Sequence, residues 1–107
     1  MIDGRKAKPY IIPMIASFQS KELRRFWTTG DASRIRPDWR KKVGIVLNAL
    51  EAAREPADLD MPGFGFHPLT GNLAGRYAIT VSRNWRITFG WDGEDATDVD
   101  LEDYHGA

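Results

Sequence analysis

RYAITVSRNWRITFGWD, residues 76–92, is the stretch whose reading decides the fold. Tyr77, Ile79 and Val81 occupy alternate positions, with Arg76, Ala78 and Thr80 between them, the period of a strand with one buried face. After Arg83-Asn84, a turn without glycine, the alternation resumes. Trp85, Ile87, Phe89 and Trp91 fall on one face and Arg86, Thr88 and Gly90 on the other. Two strands with so short a link form an antiparallel hairpin. Asp92-Gly93-Glu94-Asp95 supplies the next turn. Residues 96–101 then complete a meander, with Val99 and Leu101 set among acidic residues.

Upstream of the meander the period is helical. Leu23, Phe26 and Trp27 form one apolar stripe after Ser20, and Gly30 is placed to cap the helix C-terminus. A longer helix starts near Pro37 and runs to about Arg54. Trp39, Val43, Val46, Leu47, Leu50 and Ala53 trace its apolar face, with Arg40, Lys41 and Lys42 on or near the other side. Residues 55–66 are rich in turn formers and read as a loop. Residues 13–18 offer a further edge strand, with Ile15 and Phe18 apolar and Ser17 and Gln19 polar. Helices followed by consecutive strands predict an α+β domain, two N-terminal helices packed on one face of an antiparallel sheet. All four tryptophans lie on apolar periods and are expected in the core.

The chain of 107 residues is long enough for one domain and too short for two. Residues 1–13, MIDGRKAKPYIIP, stand apart as a basic N-terminal extension, and residues 14–107 form the domain. The extension reads equally as an extended start, a cloning remnant or a partner-docking arm. With no cysteine there are no disulfides or thiolates, and two histidines leave little for a metal cluster, so neither metal nor cofactor is expected. No segment has the length of a membrane span or the apolar run of a secretory signal, so a cytoplasmic protein is expected. The formal net charge is zero but unevenly spread: 12 basic and 5 acidic residues over 1–54, against 3 and 10 over 55–107. Either a basic face meets an anion, or the halves pair with each other.

No P-loop, dinucleotide or Ser-His-Asp pattern is present. What could carry chemistry is polar and lies at strand ends: His67 before the first sure strand, Arg83 and Arg86 in the hairpin, and Tyr104-His105 after the last strand. Gathered on one face, these groups suit a phosphodiester. Guanidinium binds phosphate oxygens and stabilises charge that builds on them, imidazole moves protons near neutral pH, and a phenol ring stacks on a base. Each has an ordinary alternative. Arg86 can pair with Asp98 or Asp100, Arg83 can be a plain turn residue, His67 a packed histidine, and His105 a solvated terminus.

Five motifs in order bring a resemblance: M-I-x-S-F at residues 14–18, L-R-R-F-W-T-T-G at 23–30, P-G followed by H-P-L-x-G at 62–71, N-W-R-I-T-F at 84–89, and D-V-D-L-E-D-Y-H at 98–105. Over residues 14–105 the chain resembles the HigB-like plasmid-maintenance toxins of the RelE/ParE superfamily. The resemblance implies a RelE-like α+β fold and a ribosome-dependent endoribonuclease that cuts mRNA by 2′-hydroxyl attack. It implies His105 as principal acid/base, Tyr104 positioning substrate, His67 assisting, and Arg86 stabilising the pentacoordinate phosphate. It implies a HigA-type helix-turn-helix antitoxin as partner, besides ribosome and mRNA. Arg83, Arg76, Arg24, Arg25, Arg40, Lys41 and Lys42 would then contact RNA. Two positions depart from the family pattern: Thr70 stands where lysine is usual, and Gly65 where a basic residue is common. Both remove charge, which leaves open a weakened nuclease, recruitment of Arg76 or Arg83, or a non-catalytic binding module (a ParE-like target inhibitor or a toxin that retains only antitoxin binding).

Overall fold

Ser20 opens the first helix, α1 (Lys21–Thr29): its hydroxyl accepts the Leu23 amide over 3.1 Å. Gly30 closes it in the left-handed conformation, φ 80°, donating its amide to the Phe26 carbonyl. The structure, a computed structural model, describes residues 15–103. A short 3-10 turn (Pro37–Trp39) leads into α2 (Arg40–Ala52), whose Val43, Val46, Leu47 and Leu50 are fully buried. The face predicted from their spacing is the face that packs. Residues 55–66, read as plain loop, contain a second 3-10 turn (Pro56–Leu59). Buried Leu59 pins it to the core, a tertiary contact with no local period to announce it.

Four strands follow in meander order: β1 (His67–Pro68), β2 (Tyr77–Thr80), β3 (Trp85–Asp92) and β4 (Asp95–Asp103), each antiparallel to its neighbour. The α+β reading holds, with two helices on the sheet. Residues 15–18 add the expected edge through parallel bridges, Ile15 to Ala96 and Phe18 to Val99. Pro13 and Met14, and the whole extension 1–13, lie outside the described residues.

Register divides the sheet into two faces. Tyr77 opposite Phe89, and Ile79 opposite Ile87 opposite Leu101, meet the helices. Phe66, Tyr77, Phe89 and Trp91 continue this face as a ladder of ring contacts 5.6 to 6.3 Å apart. Trp39 lies 5.1 Å from the Trp85 ring, joining the helical layer to the sheet. Trp39 is the buried tryptophan. Trp27, Trp85 and Trp91 are only partly covered and pack on the core's margin, because an indole is wide enough to reach both core and solvent. The opposite face carries Arg76, Ala78, Thr80, Arg86, Thr88, Asp100 and Glu102, and the candidate site is built there.

Candidate active site

The pairing His67–Ala78–Thr88–Asp100 forms one row across all four strands, and Thr80–Arg86–Glu102 forms the next. Residues directly opposite one another point to the same face. His67 and Arg86, 19 positions apart in the chain, therefore share the sheet face turned away from the helices. Standard sheet spacing puts their Cα atoms roughly 12 Å apart, two strands over and two residues along. That gap suits a bridging ribose-phosphate better than a direct contact.

His67 is exposed, and its Nδ1 lies 3.0 Å from the Gly65 carbonyl oxygen. Arg76 enters from the residue before β2 and lays its guanidinium across the sheet. Its Nη2 donates to the Thr88 hydroxyl oxygen over 3.1 Å and to the Asp98 carbonyl over 3.0 Å. Gly90 makes room for this reach, since a Cβ there would stand 3.7 Å from Arg76 Nη1 and 2.8 Å from the Thr97 hydroxyl oxygen. Thr88, fully buried, passes its own hydroxyl hydrogen to the Glu102 carboxylate. Arg76, Thr88 and Glu102 thus form a continuous polar chain across three strands.

Arg86 faces this chain from the next row, but its Nη1 is turned towards the hairpin. It donates to the carbonyls of Ser82 (3.0 Å), Trp85 (3.2 Å) and Arg83 (3.3 Å). Arg86 therefore braces the β2–β3 turn from the polar face of the sheet. Arg83, in that turn, is exposed and contributes its carbonyl to the brace. Asp100 sits opposite Thr88 and accepts the Leu101 amide over 2.9 Å. Burial raises its carboxyl above the usual range; the Leu101 amide opposes this, the Glu102 charge adds to it, and Arg76 opposes it. Tyr104 and His105 lie outside the described residues.

The predicted RNA-contacting cations separate into two groups. Arg24 and Arg25 of α1 line a groove of about 590 Å³ together with Lys21, Glu22, Thr28, Thr29 and Arg34, and Arg25 Nε lies 3.4 Å from the Asp31 carboxylate. Arg34, in the connector after α1, was not among the predicted residues; its signal was only that it follows the same basic helix. Two of the three α2 cations are held by backbone carbonyls. Arg40 Nε donates to the Ile35 carbonyl over 2.9 Å, and Lys42 Nζ donates to the Gly63 carbonyl over 2.7 Å beside the Phe64 ring. Lys41 is exposed.

The chain is a two-layer α+β unit whose open sheet face carries imidazole and guanidinium groups. The family profile described as the RelE-like toxin of the type II toxin-antitoxin system HigB matches residues 16–105, and the chain belongs to that family. It is similar to the Endoribonuclease HigB of Proteus vulgaris, at 36% identity over 92 residues, covering 86% of this chain and all of the relative. As a toxin of a type II toxin-antitoxin system, it has an antitoxin partner. Among the described residues, no helix is long and apolar enough to cross a membrane.

Proposed function

We propose that this toxin is an endoribonuclease that cuts mRNA on the ribosome. The observation that carries the reading is the placement of His67 and Arg86 in neighbouring rows of one sheet face, with the Arg76 guanidinium held on Thr88 of that face. A proton carrier on the same face as two permanently charged forks matches the needs of phosphodiester cleavage. The name of the Proteus vulgaris relative supports the same chemistry.

In the reaction, the ribose 2′-hydroxyl loses its proton to a base and its oxygen bonds to the adjacent phosphorus. The bond from phosphorus to the 5′-oxygen breaks, and that oxygen takes up a proton. The products are a 2′,3′-cyclic phosphate and a 5′-hydroxyl. His105 is the principal acid/base in this scheme, Tyr104 positions the substrate, and His67 is the second proton carrier. Arg86 and Arg76 stabilise the pentacoordinate phosphate, with Arg76 supplying the charge absent at Thr70 and Gly65. Arg24, Arg25, Lys41 and Arg83, with lesser parts for Arg40 and Lys42, meet RNA phosphates. A HigA-like helix-turn-helix antitoxin silences the enzyme in the cytoplasm, and residues 1–13 stand outside the toxin unit.

The test is expression of wild type and His105→Ala, followed by mapping of mRNA 5′ ends in translating cells. Wild type should create new 5′-hydroxyl ends and His105→Ala should not. Growth arrest without new ends, or undiminished toxicity of His105→Ala, would replace this reading with that of a non-catalytic inhibitor.

A further inference from the structure

We propose that Gly65 is a positioning residue that sets the tautomer of His67: its carbonyl holds the neutral imidazole protonated at Nδ1, leaving Nε2 as the atom that exchanges protons. The consequence for RNA cleavage rests on the nuclease reading above; the tautomer itself does not.

A backbone carbonyl only accepts hydrogen bonds. With Nδ1 of His67 at 3.0 Å from the Gly65 oxygen, the ring nitrogen is the donor in this contact. In the neutral ring the other nitrogen, Nε2, then bears the lone pair. Free imidazole side chains in water favour the reverse arrangement, so the fold imposes this one. When the ring is protonated, both nitrogens carry hydrogen and the contact to Gly65 persists. His67 can therefore accept and return a proton at Nε2 without turning its ring, which suits a group that serves as base in one step and acid in another.

The aim of that carbonyl depends on residue 65 being glycine. Its φ is +57°, and a Cβ built there would stand 2.6 Å from the Thr80 hydroxyl oxygen. The surrounding pairing explains why. The Thr80 amide donates to the Phe64 carbonyl over 2.7 Å, while His67 stands opposite Ala78. Between these two pairings one side advances three residues and the other two, so the segment bulges by one residue at Gly65. Any larger residue must push Thr80 aside or leave the left-handed conformation, and either movement swings the carbonyl off Nδ1. The basic residue expected at this position would bring charge; glycine brings the left-handed conformation that aims the carbonyl.

The experiment is nitrogen-15 NMR of the histidine side chains in the purified full chain, at a pH where the ring is neutral, with His67→Gln to assign the signal. Wild-type His67 should be protonated at Nδ1 and bare at Nε2. Gly65→Ala should shift the ring towards the Nε2-protonated form and lower kcat for RNA cleavage about tenfold or more, with KM little changed. Adding Thr80→Ala, which removes the oxygen at 2.6 Å, should recover part of both effects. A wild-type ring protonated at Nε2 overturns the proposal, and that spectrum decides even if Gly65→Ala does not fold. A folded Gly65→Ala protein with unchanged tautomer, or with a changed tautomer and an unchanged rate, overturns it as well. A wild type with the Nδ1-protonated ring and no RNA cleavage defeats the nuclease reading while the tautomer assignment stands.

Discussion

Arg76 and Thr88, twelve positions apart, meet on the open sheet face: Nη2 of the arginine donates to the threonine hydroxyl over 3.1 Å. The same nitrogen also reaches the Asp98 carbonyl, so one side chain that starts before β2 spans the sheet to β4. The hydrogen bonds use Nη2 and leave the rest of the fork facing the space over Gly90.

Arg76→Ala should therefore lower RNA cleavage by about 100-fold, the scale of losing one positioned donor to a phosphoryl transition state. Arg76→Lys should recover only part, because an ammonium keeps the charge but cannot span Thr88, Asp98 and a phosphate at once. Single-turnover cleavage of a defined mRNA on stalled ribosomes measures both.

Thr88→Val should cost stability. The hydroxyl is fully buried, accepts from Arg76 and donates to Glu102. Valine keeps the shape but leaves the Glu102 carboxylate without this donor and Arg76 Nη2 with only the Asp98 carbonyl, a loss of about 1–3 kcal/mol. Urea denaturation should show a lower midpoint at an unchanged slope.

Much of this architecture is legible in the residues themselves. Ser20 and Gly30 mark the two ends of α1 because capping is local chemistry, and the period of two in residues 77–91 gives the hairpin because one sheet face is buried. β1 is not legible, since His67–Pro68 has no period of its own and is a strand only through Tyr77 and Ala78. The left-handed Asp98, φ 47°, near the register shift in β4, is equally hidden, as aspartate seldom needs that conformation. For the site, alternation alone puts Arg76, Arg86 and Thr88 on one face. That Arg86 turns Nη1 to the hairpin carbonyls is not written in any spacing, because a guanidinium bonds whatever acceptors the turn presents. The roles proposed for Tyr104 and His105 rest on the family resemblance.

Ser20→Ala tests the capping argument. It removes the acceptor for the Leu23 amide, and should destabilise the protein by about 1 kcal/mol. Ser20→Asp should restore most of the loss, since aspartate caps as well and its charge favours a helix N-terminus. Thermal unfolding of the three proteins ranks them.

The two groups of cations should behave differently. Arg24→Gln removes a charge from the α1 groove and should reduce the slope of log binding against log salt for ribosomal RNA by about 0.7–0.9. Lys42→Gln should leave that slope nearly unchanged and lower stability instead, because Lys42 ties α2 to the Gly63 carbonyl. Titrations at several salt concentrations, run beside urea melts, separate the two effects.

Asp100 gives the clearest pH dependence. Burial raises its carboxyl, the Leu101 amide opposes the rise, Glu102 and Glu22 add to it, and Arg76 opposes it. The folded state thus binds this proton more tightly than the unfolded chain does. Its contribution to stability is complete below the unfolded value of 3.8, and is lost as pH climbs through the raised folded value. At neutral pH the folded protein carries a carboxylate that its surroundings disfavour. Asp100→Asn keeps an oxygen for the Leu101 amide and removes the charge. It should be more stable than wild type at pH 7, and the advantage should shrink steadily as pH falls towards 3.8. Urea melts of both proteins across that range test this, and an advantage that grows towards acid would reverse the assigned sign.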